Sequence, residues 1–118
     1  MTEAQIHRQI ADFFRVALGG SAFAFHPPMG GKRPKGEAGK LRGMLAVAGL
    51  PDFGVIDSGK IMWIEVKAPK GRVSPAQEAC HKALRRAGAP VYIIRSLDEA
   101  IAALRMAGVP LRVAEAMG

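Results

Sequence analysis

The sequence has a single cysteine, Cys80, and few aromatic residues: one Trp, one Tyr and five Phe in 118 positions. One cysteine permits no intrachain disulfide and no cysteine-rich zinc site, and it fits a reducing, cytoplasmic setting. The aromatics are nowhere interleaved with basic residues, which excludes a platform for stacking single-stranded bases. No apolar run approaches the roughly 20 residues of a membrane span. The opening stretch, Met1 to Gln5, has neither the basic region nor the apolar core of a signal peptide. Acidic residues are also scarce, 10 against 17 Lys plus Arg, so the net charge is +7. That excess points to a polyanionic partner, nucleic acid or an acidic membrane surface, beside the plainer reading of a merely basic soluble protein. The length fits one domain over residues 1–118, and 49% hydrophobic content suffices for one packed core.

Thr2 and Gln5 form a capping box that opens a helix with Ile6, Ile10, Phe13, Phe14 and Ala17 at helical spacing, stopped by Gly19-Gly20. Ala22 to His26 is a short strand with Phe23 and Phe25 on one face. Met29 to Gly36 is a Gly/Pro/Lys loop. Leu41, Met44, Leu45 and Ala48 predict a second helix over Glu37–Ala48, ended by Gly49. Phe53–Asp57 and Ile61–Val66 read as strands joined across Ser58-Gly59, a hairpin signal. Ser74-Pro75-Ala76-Gln77 opens another helix, with Ala76, Ala79, Cys80, Ala83, Leu84 and Ala87 as its apolar stripe. Val91–Ile94 is a buried strand. A last helix starts at Ser96 with Leu97, Ile101 and Leu104 inward. The order is α-β-α-β-β-α-β-α. The β-α-β unit over Ile61–Ile94 implies a parallel pair beside an antiparallel hairpin, hence a mixed central sheet with flanking helices, in the α/β (α+β) class.

The strand ending "WIEVK" carries the chemistry. Side chains alternate, so Ile61, Trp63, Glu65 and Lys67 share one face. A two-residue turn at Ser58-Gly59 pairs residues whose numbers sum to 117, which sets Phe53 against Ile64 and Asp52 against Glu65. Directly opposed residues have Cβ atoms about 4.5–5.5 Å apart. Asp52, Glu65 and Lys67 therefore meet at one end of the hairpin, provided the register holds. Two carboxylates that close repel unless a proton or cation lies between them. A hard cation such as Mg²⁺ suits them, could activate a water, and leaves Lys67 to face a phosphate. The simpler alternative is a surface ion pair of Glu65 with Lys67 or Lys60. Glu3 lies on the helical face of Ile6 and Ile10; it either joins a metal site or favours the helix dipole. Gln77 either closes its capping box or reaches the site. His7 shares a helical side with Glu3 and so could border the site, but His7, His26 and His81 show no metal-ligand spacing and are not read as ligands.

The segments "GLPDFGVI", "WIEVKAPKGRVSPAQ" and "AGAPVYIIRS" resemble the virus-type replication-repair nuclease domain, VRR-NUC, of the PD-(D/E)XK nuclease superfamily. The resemblance runs from the Glu3 helix to the Ser96 helix. It implies a restriction-endonuclease-like core, with the Glu37–Ala48 helix inserted, and a Mg²⁺- or Mn²⁺-dependent endonuclease. By position it implies Asp52, Glu65 and the Val66 carbonyl as metal ligands, with Glu3 joining them. Lys67 is then the catalytic lysine and Gln77 the glutamine of the S-x-x-Q motif. Stand-alone members resemble Holliday-junction resolvases and act on branched DNA as homodimers.

Lys32, Arg33, Lys35, Lys40 and Arg42 cluster in and after the loop, Lys70 and Arg72 follow Lys67, and Lys82, Arg85 and Arg86 lie off the apolar stripe of the Ser74 helix. They fit contact with duplex phosphates, of little base specificity, although each cluster also suits a solvated face. The apolar tail Leu111–Gly118 and the Ala22–Phe25 strand are candidate dimer surfaces. The rival reading is a non-catalytic nucleic-acid-binding module using the same basic surface.

Overall fold

The computed structural model describes residues 1–28, 40 and 43–112. Helix α1 (Glu3–Ala17) starts at a complete capping box: Thr2 Oγ1 accepts from the Gln5 N–H, and the Thr2 N–H donates to Gln5 Oε1. Its face of Ile6, Ile10, Phe14 and Ala17 is buried. Strand β1 (Ala22–Phe25) follows, then β2 (Phe53–Asp57) and β3 (Lys60–Val66). Ser58 and Gly59 both take positive φ, 51° and 77°, the two-residue turn geometry that matches strand twist. The pairing is Asp57 with Lys60 through Phe53 with Ile64, the register expected. Helix α2 (Pro75–Arg86), strand β4 (Val91–Ile94) and helix α3 (Leu97–Met106) follow among the described residues.

The sheet order is β1-β2-β3-β4, antiparallel except for β3 with β4. Alternation divides it. Phe53, Val55, Met62, Ile64, Val66 and Ile94 pack under α1 and α3 around Ile6, Ile10, Ala100 and Leu104. The other face carries Trp63 and Val91, with Phe25, Leu50, Ile61 and Leu84 of α2 around them. Position 54 is on that face opposite Trp63, and glycine suits it because a Cβ there would meet the Phe25 ring at 2.5 Å. Phe25 thereby reaches Trp63, edge to face at 5.6 Å.

Several expectations need correction. Of the Glu37–Ala48 helix, Lys40 and Gly43 are helical and 37–39, 41 and 42 lie outside the described residues, but by Met44 the chain is no longer helical. Leu45 has φ 67°, and Met44, Leu45 and Ala48 are exposed instead of forming a core stripe. The segment must turn to deliver Leu50 and buried Pro51 to the sheet, and that demand outweighs helical periodicity. The alanine stripe of α2 is also rotated: Ala76, Ala79, Ala83 and Ala87 are not buried, while Cys80 and His81 are. Alanine removes little surface from water, so it directs a helix weakly. In α3 the expected inward set holds, with Leu104 buried and Leu97 and Ile101 packed against the core, and Ala100 and Ala103 join it. At the tail, Leu111 bridges to Leu18 and is buried against the chain's own core. Residues 113–118, which carry the remaining apolar tail positions, lie outside the described residues.

Gly49 joins this fold to the site. Its φ is +80°, and a Cβ would lie 2.3 Å from the Ala76 carbonyl oxygen in the first turn of α2. Gly59 also has positive φ, but its missing side chain faces open space. Gly59→Ala bears only the left-handed backbone penalty, about 1–2 kcal/mol. Gly49→Ala adds a clash with backbone and is expected to lower Tm by roughly 8 °C or more, well beyond the Gly59 variant. Equal melting shifts in a thermal scan would show that the 48–50 turn does not bear on α2.

Candidate active site

The register that pairs Phe53 with Ile64 sets Asp52, one residue earlier, beside Glu65 at the carboxyl end of β3. Asp52 is fixed there by the Val66 N–H, which donates to Oδ2 at 2.7 Å. Glu65 is 2% exposed. Burial comes first, then hydrogen bonding and repulsion from the Asp52 carboxylate; together they push the Glu65 carboxyl up to about 9. Near neutral pH it therefore keeps its proton. Lys60 sits opposite Asp57 at the far end of β3, so a Glu65–Lys60 ion pair is ruled out.

Lys67 is buried, and its Nζ donates to Gln77 Oε1 at 2.7 Å. It also lies 3.9 Å from Glu3 Oε1, at the exposed start of α1. Gln77 does both jobs weighed from the sequence. Its Oε1 accepts from the Ser74 N–H at 2.9 Å to complete the capping box, and its Nε2 donates to Glu65 Oε2 at 3.4 Å. The cap of α2 thus orients the lysine and the buried acid together.

His81, one turn beyond Gln77 on α2, is 1% exposed and its Nε2 lies 2.9 Å from Glu65 Oε1. Burial lowers its pKa, helped by Arg85 and Lys67, so the ring is neutral. The sequence pattern hides His81 because it falls outside the alanine stripe. The spacing Gln77, Cys80, His81, Leu84 was the available signal. His7 and His26 are corrections too. His7 Nδ1 lies 3.5 Å from Asp52 Oδ1, and the His26 Nδ1–H donates to the Asp52 carbonyl. The two imidazoles reach Asp52 from different elements, so no local spacing could announce them. Burial lowers the His7 pKa against the opposing pull of Asp52.

Beyond the site, Arg95 Nη1 donates to the carbonyls of Ala68 and Gly71, each at 2.7 Å, and pins the loop after Lys67. Lys70 and Arg72 on that loop are exposed, as is Lys40. Lys32, Arg33, Lys35 and Arg42 lie outside the described residues. Arg85 is engaged with the Val91 carbonyl, and Lys82 pairs with Glu78. Among the described residues, no helix is long and apolar enough to cross a membrane.

The donor set fits a hard divalent cation. Two carboxylates converge where one must stay protonated in the cation's absence, and Glu3 stands at the rim. The sequence profile of the VRR-NUC domain matches residues 40–98, half of the chain. A solved structure described as a VRR_NUC domain protein superposes with a TM-score of 0.65, covering 89% of this chain and 86% of its own, at 20% identity. That likeness shows the fold. No curated protein matches the chain.

The raised Glu65 carboxyl has a consequence for stability. Between about 4.5, its ordinary value, and about 9, the folded metal-free protein holds a proton that the unfolded chain releases. Stability from this group is therefore full below pH 4.5 and falls as pH rises toward 9. Glu65→Gln, which cannot ionise, is expected to melt near wild type at pH 4.5 but roughly 5–10 °C higher at pH 8 in chelator. A Tm difference independent of pH would show that Glu65 ionises normally.

Proposed function

The chain belongs to the VRR-NUC family, and from that nuclease-type fold we propose that it is a divalent-metal-dependent DNA endonuclease hydrolysing phosphodiester bonds, with branched duplexes such as Holliday junctions as substrate. The observation that carries this reading is the convergence of Asp52, Glu65 and Lys67 at one end of the β2–β3 hairpin. A pure binding module has no use for converging acids on a protein of charge +7.

In this reading residues 1–118 act as one nuclease domain. Asp52, Glu65 and the Val66 carbonyl hold Mg²⁺ or Mn²⁺, with Glu3 completing the set from α1. When bound, the cation supplies an activated water and positive charge against the build-up on phosphorus. Lys67 sets its ammonium beside the scissile phosphate, where a fixed charge in a dry site acts strongly. Gln77 keeps Lys67 and Glu65 apart and aimed, since its amide bonds both. Lys70 and Arg72 take backbone phosphates next to the cut, on a loop that Arg95 keeps rigid. Lys32, Arg33, Lys35, Lys40 and Arg42 extend that contact along the duplex.

Cleavage and binding should separate. Asp52→Ala, Glu65→Ala and Lys67→Ala are each expected to reduce Mg²⁺-dependent nicking of a labelled four-way junction by roughly 10³-fold or more, with binding kept within a few-fold. Lys70→Ala with Arg72→Ala should do the reverse, and the salt slope of binding should fall by up to about 0.9 for each phosphate no longer neutralised. If Glu65→Ala cuts at near wild-type rate, the site assignment is wrong. If wild type binds junctions but never cuts with Mg²⁺ or Mn²⁺, the binding-module reading takes its place.

The same reading includes a homodimer, because one domain with one site makes one cut and a junction has two symmetric strands to cut. Strand β1 is one edge of the described sheet, and Phe23 on it is 65% exposed, which suits pairing with a mate. Light scattering at micromolar concentration is expected to give twice the mass of one chain. A single-chain mass, unchanged when junction DNA is added, contradicts the paired cut.

A further inference from the structure

We infer that His7, His26 and Asp52 form a second cation site, one that takes a first-row dication of the zinc type rather than Mg²⁺. A ring nitrogen of each histidine and a carboxylate oxygen of Asp52 lie within 4.8 Å of one another. They come from three elements: the first turns of α1, the end of β1 and the residue before β2. The convergence is thus a property of the fold and not of one flexible segment.

Three features favour a cation there over a simple hydrogen bond. His26 has its tautomer fixed. Its partner is a carbonyl oxygen, which can only accept, so Nδ1 carries the proton and Nε2 keeps its lone pair. Donation of the other ring N–H to a backbone carbonyl is the arrangement that metal-binding histidines use to fix their tautomer. His7 Nδ1 is 3.5 Å from Asp52 Oδ1, too long for a good hydrogen bond. Two donors at about 2.1 Å from one cation stand roughly 3.0–3.4 Å apart, close to that separation. The third feature is rigidity. The His7 ring stacks on Phe53 at 4.3 Å and meets the His26 ring edge-on at 4.6 Å, so both are held before any ion arrives.

The donor types set the selectivity. Two imidazoles and one carboxylate oxygen suit zinc-like ions, whereas Mg²⁺ prefers oxygen alone. Asp52 then serves both centres. Oδ1 faces the histidines, and Oδ2 faces the β3 end, where Val66 donates to it. This inference shares Asp52 with the proposed catalytic centre but makes no use of Glu65.

Side-chain ¹⁵N NMR of histidine-labelled protein, titrated with Zn²⁺ and separately with Mg²⁺, tests it. One equivalent of Zn²⁺ is expected to shift one ring nitrogen each of His7 and His26, to leave the His26 Nδ1 protonated, and to leave His81 unmoved. Mg²⁺ should give no ligation shift at the His7 or His26 ring nitrogens, while His81, bonded to Glu65, responds if Mg²⁺ fills the oxygen site. Single His7→Gln and His26→Gln variants assign the peaks, and calorimetry on each should show Zn²⁺ affinity reduced about tenfold or more. Glu65→Gln should keep the Zn²⁺ response even where cleavage is lost, which separates this site from the nuclease reading. Unshifted His7 and His26 signals in the wild-type protein overturn the inference, whether or not the protein cuts DNA. So does an equal response to Mg²⁺, or a Zn²⁺ response carried by His81 instead.

Discussion

The hydrogen bond from the Val66 N–H to Asp52 Oδ2 ties one side chain of the β2 entry to the last backbone group of β3, and the site is arranged around it. It holds one carboxylate against a second that is already buried, so the protein keeps two acids where water would normally separate them. The cost appears as the raised Glu65 carboxyl. Burial sites like this one persist when the surrounding fold over-determines them. Here the hairpin turn, the packed β3 strand and the α2 cap all converge on the same few ångströms.

Helix α2 supplies the rest of that constraint. Its first turn presents Gln77 and its second presents His81, so a helix that would ordinarily bury apolar groups covers a polar cluster. Among the described residues, no buried side-chain nitrogen or oxygen is left without a hydrogen-bond partner. A polar cluster satisfied to that degree is rigid, because moving one member strands the others. Lys67 depends on this most: its ammonium is buried, held by the amide of Gln77, and has Glu3 as its ion-pair partner.

What could be read from the sequence follows the same physics. Ser58-Gly59 dictated the register, and the register dictated that Asp52 would meet Glu65. The two capping boxes were legible because they involve residues three apart. The face of α2 was not, since four alanines give an apolar stripe with little burial energy behind it. The helix over Glu37–Ala48 failed at Met44 for a tertiary reason: the chain has to turn to place Pro51 and Asp52. His7 and His26 were illegible because 19 residues and two elements separate them. Only the sheet register, with Phe25 paired to Gly54, brings the end of β1 to Asp52.

In the proposed function, Asp52 and Glu65 jointly hold a divalent cation through oxygen ligands. Backbone-amide NMR under Mg²⁺ titration tests it most directly, and the Val66 amide is the reporter because it donates to Asp52. A saturable Val66 shift is expected in the wild-type protein and should disappear in both Asp52→Asn and Glu65→Gln. A Val66 shift that survives Glu65→Gln at unchanged affinity, or none at any Mg²⁺ concentration in wild type, would contradict it.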